Sequence, residues 1–228
     1  KSPLASDLHR ALVPTRGLFA PGKFDQYKRD IPHATLAQAF QGLVRQLLGK
    51  KEEELAPWRE QLIAALGPNG QLMVNLIPEL ALVLAPQPPP PRAHPQEGGA
   101  RFHTAFRSLL GVFARREHPL VLFIDDLQWM DAGTLDMLQR IVMDPEVGHL
   151  LVIGAYRDNE VDATHPLSAT LDVIRRGRGP FLELRLAPLQ GAHVTQLCAD
   201  ALRTDPRRVA RLAGLVFEKT GGNPFFAI

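Results

Sequence analysis

The sequence predicts an α/β protein, a parallel sheet sandwiched by helices and followed by the start of a small helical bundle. Three observations predict it. Residues 121–124 and 150–155 are near-continuous apolar runs, as expected of strands buried on both faces. Around them lie stretches whose apolar residues recur at helical spacing. From about Gln190 onward the strand-like runs stop and only helical periodicity remains. Alternation of this kind implies parallel strands joined by helical crossovers, with a helical lid appended.

Taken in order, Lys1-Ser2 leads into a helix with Leu4, Leu8 and Leu12 on one face. A short strand is expected at 16–20, before the polar segment 22–30. Thr35 with Gln38 forms a capping-box pattern, and the helix it starts presents Leu36, Phe40, Leu43, Val44 and Leu47. A second helical stretch, Glu52 to Leu66, ends at the breaker Gly67-Pro68-Asn69-Gly70. Residues 85–99 hold Pro88 to Pro91 and Gly98-Gly99, and read as an exposed, partly extended spacer.

The helix expected at 101–115 carries Phe102, Phe106, Leu109, Leu110 and Phe113. After the strand at 121–124, Asp131 stands at the N-cap position of a helix beginning near Ala132. A strand at 150–155, a helix at 166–176 and a strand at 181–186 complete the series. Two amphipathic helices close the chain, one with Val194, Leu197, Cys198 and Leu202, the other with Val209, Leu212 and Val216. The expected division is a core over 1–188 and an incomplete helical lid over 189–228.

Composition narrows the function. The 228 residues are 45% apolar and 22% charged, with a net charge of +2, values of an ordinary globular protein that argue against a dedicated nucleic-acid surface. The single cysteine, Cys198, excludes an internal disulfide and a cysteine-based metal site. Its place beside Val194 and Leu202 on an apolar face marks it as a small buried hydrophobe. No apolar run approaches the roughly 20 residues that span a bilayer, no signal peptide is visible, and the expected location is cytoplasmic.

The chemistry concentrates in Val121-Leu-Phe-Ile-Asp-Asp-Leu-Gln-Trp-Met-Asp131. Four apolar residues run into two adjacent carboxylates, Asp125 and Asp126. Removing carboxylates from water is costly unless a cation or hydrogen bonds compensate. One reading makes these acids helix caps. The other makes them the acidic element that holds Mg²⁺ on nucleotide phosphates in nucleotide-hydrolysing α/β proteins. Lys1-Ser2 favours the second. A phosphate-binding loop ends in a lysine and a hydroxyl residue at a helix N-terminus, where they reach phosphate and Mg²⁺. The chain opens without methionine and closes on Pro224-Phe-Phe-Ala-Ile228. It is therefore expected to be a fragment cut inside that loop, binding nucleotide poorly alone.

The segments 22–32 (GKFDQYKRDIP), 35–48 (TLAQAFQGLVRQLL), 125–131 (DDLQWMD), 152–162 (VIGAYRDNEVD) and 218–226 (EKTGGNPFF) resemble, in order and over nearly the whole chain, a particular ATPase module. It is the AAA-type module of large bacterial signalling proteins, within the STAND class of P-loop NTPases and akin to Orc1-like AAA domains. In those proteins a serine/threonine-kinase-like domain precedes the ATPase, and a sensor and a histidine kinase often follow.

The resemblance implies ATP and Mg²⁺ as ligands. It implies that Lys1 touches phosphate, that Ser2 and Asp125 associate with Mg²⁺, and that Asp126 orients or deprotonates attacking water. It implies that Arg157 reads the γ-phosphate, for which a permanently charged, bidentate guanidinium is suited. An ion pair with Asp158 or Glu160 is the alternative for Arg157. Asn223 and Pro224 match a lid turn close to the nucleotide base; a purely structural turn is the alternative. Gln128 and Trp129 are typical of the family, with no chemistry assigned and Trp129 expected to pack. Neither an HRD-like catalytic loop nor a DFG is present, so kinase activity is not expected of this chain.

The leading expectation is an ATP-binding, ATP-hydrolysing switch that passes signals between domains of one polypeptide, with homo-oligomerisation open. The alternatives are a nucleotide-binding scaffold without useful turnover and an Orc1-like DNA-binding ATPase. The near-neutral charge and the lack of a winged-helix segment count against the last.

Overall fold

The computed structural model describes residues 17–26, 32–89, 95–177 and 179–227. The chain divides into two compact units, one reaching to Pro180 and the other spanning Phe181–Ile228.

The first unit is α/β, with a parallel three-stranded sheet in the order β1-β2-β3. Strand β1 is Leu18–Lys23, β2 Leu120–Asp125 and β3 Leu150–Gly154. Register pairs Leu18 with Leu120 and Lys23 with Asp125, and Leu120 with Leu150. Strand β1 starts and ends later than the expected 16–20 because its pairing to β2 continues to Asp125. It contains Pro21, which lacks an N–H and is tolerated in a strand whose pairing among the described residues is with β2 alone.

Between β1 and β2 lie α1 (Ala34–Leu48), α2 (Glu52–Leu66), the short α3 (Gly70–Leu76) and α4 (Pro95–Phe113). Helix α5 (Ala132–Met143) links β2 to β3, and α6 (Pro166–Arg176) follows β3. Alternate β2 residues face opposite ways. Leu120, Leu122 and Ile124 join the main core with Leu36, Phe40 and Leu43 of α1 and Phe106, Leu109 and Phe113 of α4. Phe40 meets Phe106 and Phe113 edge-on, with centroids 5.1 and 5.8 Å away. On the other face Phe19, Val121 and Phe123 form a separate cluster with Ile153 and Ala155.

The second unit is helical in its regular parts: α7 (Gly191–Leu202), α8 (Pro206–Thr220) and α9 (Pro224–Ala227). Its small core joins Val194, Cys198 and Ala199 to Val209 and Ala213. Cys198 is buried there as expected.

Four expectations are corrected. Residues 181–186 are not a strand, and Leu182, Leu184 and Leu186 are exposed. Period-two alternation alone does not make a strand, and the described part of this unit holds no strand. Helix α1 starts without the Thr35–Gln38 capping box. His33 is its N-cap residue and makes no side-chain cap. Thr35 is buried within the helix, and a Cβ on Gly22 would lie 2.9 Å from its Cγ2, so the methyl packs against β1. Helix α4 begins at Pro95, inside the expected spacer, and includes Gly98 and Gly99; proline is suited to a first helical position. Leu202 is exposed because α7 ends there, with Arg203 left-handed as the C-cap.

Candidate functional site

The site is built where the three strands end. Parallel strands joined by crossovers bring all their carboxyl ends to one edge, the usual ligand edge of an open α/β sheet. Lys23 closes β1 and Asp125 closes β2, directly paired with it. Past β3, Ala155 donates its N–H to Ile124 O at 2.9 Å, and Leu127 donates to Ala155 O at 2.9 Å. These bonds prolong the β2–β3 pairing beyond the strands and tie the turn Leu127–Trp129 to the segment leading into Arg157.

Asp126 makes the corner. Its backbone is left-handed at φ 57°, ψ 46°, a conformation to which aspartate is better suited than most residues. Its N–H donates to Asp125 Oδ1 at 3.0 Å. The side chain is only 9% exposed, yet carries several partners. Lys23 Nζ lies 3.3 Å from Oδ2, and Gln128 Nε2 donates to Oδ1 at 3.2 Å. Arg157 Nε stands 3.8 Å from Oδ1. Two acids and two cations thus meet at the strand ends. The attraction of Lys23 and Arg157 is moderated by water, since their side chains are 64% and 58% exposed.

Arg157 has three environments at once. Its Nη1 donates to Glu160 Oε1 at 3.0 Å, its Nε faces Asp126, and its Cζ lies 5.6 Å from the Trp129 ring centroid. The ion-pair alternative from the sequence is therefore present with Glu160, alongside the approach to Asp126. Trp129 does more than pack, offering its face to the guanidinium.

Asp131 caps α5, accepting from Thr134 N at 2.8 Å. The carboxylate pair is not the cap. His33, left-handed at φ 60°, donates its N–H to Thr134 Oγ1 at 3.1 Å. Burial holds the His33 imidazole below its ordinary value; Asp131 opposes this, His103 adds to it, and Asp136 opposes it.

Of the residues expected from sequence, Asp125, Asp126 and Arg157 come together. Lys1 and Ser2, with the helix expected after them, lie outside the described residues. Asn223 and Pro224 belong to the second unit. There Gly221 and Gly222 both take positive φ, 58° and 77°, and Asn223 Oδ1 accepts from Phe225 N at 3.0 Å at the start of α9. Among the described residues no group of three His, Cys, Asp or Glu side chains could hold a metal alone. No described helix is long and apolar enough to cross a membrane.

Sequence reasoning gave no role to Lys23, Gln128 and Trp129. Gln128 and Trp129 had a findable signal, being polar and aromatic residues three and four positions after the strand-end acid Asp125. Lys23 had none, because its approach to Asp126 depends on the β1–β2 register.

Residues 1–153 match the model of the AAA ATPase domain, and the chain belongs to that family. It is an α/β protein of the P-loop NTPase-like type. The chain is similar to hybrid signal transduction histidine kinase G of Dictyostelium discoideum, with 23% identity over 278 residues. That match covers 94% of this chain but 8% of the relative's length. No solved structure matches.

Proposed function

We propose that this chain is an ATP-binding and ATP-hydrolysing switch module within a larger signalling protein. The observation that carries the reading is the convergence of Asp125, Asp126 and Arg157 at one strand edge. Membership of the AAA ATPase domain family supports the same reading. The relative's description as a signal transduction histidine kinase supports placing the module in one polypeptide with a histidine kinase; kinase-like and sensor neighbours and a cytoplasmic location belong to the same proposal. In this reading the module has a core over 1–188 and a lid over 189–228, a boundary eight residues beyond the division of the two compact units after Pro180.

The residues fit Mg²⁺-ATP. One oxygen of Asp125 accepts the Asp126 N–H, and the other has no hydrogen-bond partner among the described residues. Mg²⁺ prefers one or two carboxylates, with phosphate and water oxygens completing its shell, so it needs no cluster of protein ligands. In this reading Asp125 and Ser2 hold the cation, which offsets phosphate charge. Lys1 and Arg157 engage phosphate, and Asp126 orients or deprotonates water. Such a switch works because γ-phosphate contacts favour one arrangement and hydrolysis releases it.

The test is Mg²⁺-dependent ATP binding and hydrolysis by the full-length protein, with and without Asp126→Ala. Loss of turnover with retained binding is the expected result. Turnover unchanged by the substitution removes Asp126 from the mechanism. A wild-type protein that binds ATP, assembles on it and does not turn it over is a nucleotide-binding scaffold instead.

A further inference from the structure

We propose that Gln128 is a positioning residue. Its buried amide locks the Asp126 carboxylate to the Arg157 backbone, so that acid and arginine meet a nucleoside triphosphate as one preset unit. The inference rests on the reading of Asp126 as the acid that acts on water.

Gln128 is 4% exposed, an unusual place for a primary amide unless both its ends are satisfied. Both are. Oε1 accepts from Arg157 N at 3.4 Å, and Nε2 donates to Asp126 Oδ1 at 3.2 Å. A backbone N–H can only donate, so Arg157 decides which end of the amide is oxygen, and the NH₂ must face the carboxylate. A carboxylate at this position lacks the donor, and an ammonium lacks the acceptor. The amide serves both neighbours.

The amide is itself held. Gln128 O accepts from His165 Nε2 at 3.2 Å, while His165 Nδ1 accepts from Leu167 N at 3.1 Å. An accepting Nδ1 leaves the ring proton on Nε2, so the imidazole donates to the Gln128 carbonyl. Leu127 is buried and bonded to Ala155 on the N-terminal side. The turn carrying Gln128 is thus fixed to β3 at one end and to the start of α6 at the other.

Asp126 needs such a partner. Lys23 and Arg157 reach it from side chains more than half exposed, which hold no single rotamer strongly. Among the described residues, Gln128 is the buried side chain that bonds it. Catalytic geometry tolerates little misplacement, so removing the partner should affect turnover and spare binding.

The experiment measures ATP affinity, kcat and thermal midpoint for the full-length protein and for Gln128→Met and Gln128→Glu. Methionine keeps length and burial without either bond; glutamate keeps the acceptor for Arg157 N and loses the donor to Asp126. A hydrogen bond to a charged group is of the size that changes a rate roughly 10–100-fold. Both variants should lose about that much kcat, with ATP affinity within about two-fold. In an Asp126→Ala background, Gln128→Met should add less than about two-fold, since residues acting through one another are not additive.

Additive losses, or a loss of affinity parallel to that of kcat, overturn the positioning role. So does normal turnover in either folded variant, and glutamate serves should methionine prevent folding. Absence of turnover in the wild-type protein overturns the ATPase reading itself, and this inference falls with it.

Discussion

Thr134→Val isolates one hydroxyl that joins two segments 101 residues apart, the start of α1 and the start of α5. Thr134 is fully buried. Its Oγ1 accepts from His33 N at 3.1 Å and donates to Asp131 Oδ2. His33 in turn offers its carbonyl to Ala37 N at 2.9 Å, the opening bond of α1. Valine keeps the shape, and its own N–H still donates to Asp131, so the α5 cap survives. What is lost is the partner of a part-buried N–H, about 1–3 kcal/mol, and one of the bonds to Asp131, about 1 kcal/mol. Added apolar burial at the new methyl offsets about 1 kcal/mol of this, leaving roughly 1–3 kcal/mol of destabilisation. At about 2–4 °C per kcal/mol for a chain of this size, the midpoint should fall by roughly 2–12 °C. Urea and thermal unfolding read the change directly. A loss below about 0.5 kcal/mol, the level of an ordinary surface substitution, refutes the claim that this hydroxyl couples α1 to α5.

Two further outcomes follow from the same unit. Burial keeps the His33 imidazole below its ordinary value, so the folded protein takes up this proton less readily than the unfolded chain. The resulting stability is complete above about pH 6.5 and is lost as pH falls through the folded value. The urea midpoint should therefore fall from pH 7.5 to 5, and less steeply in His33→Asn, which tolerates the left-handed backbone; parallel curves sink the idea. At Gly154 an added Cβ would collide with Leu127 Cδ1, and Leu127 is buried. Gly154→Ala should cost about 1–3 kcal/mol and act less than additively with Leu127→Ala. Strict additivity in unfolding experiments would place the strain elsewhere.

The sequence by itself determined the α/β class, the buried strand at 120–125, most helices and the acidic pair; it also located the strand at 150–154, but the expectation that this strand is buried on both faces fails, since Leu151 is exposed. Those features are written in local period and composition, which a window of ten to twenty residues contains. Parallel order followed from the helical crossovers, and it placed Asp125, Asp126 and Arg157 at one edge. Gly221 and Gly222 were legible as a turn for a similarly local reason, since positive φ suits glycine.

Tertiary structure decided the rest. Lys23 reaches Asp126 only because β1 pairs with β2 in one register across about a hundred residues of chain. The His33 N–H at the start of α1 finds its acceptor in Thr134, 101 positions away. The amide of Gln128 takes its meaning from Arg157 on the neighbouring strand's exit. Residues 181–186 show the converse, a strand-like alternation that is not a strand in the structure. A local pattern states what a segment can bury or bond, but the partner that accepts the bond is supplied by chain distant in sequence and near in space.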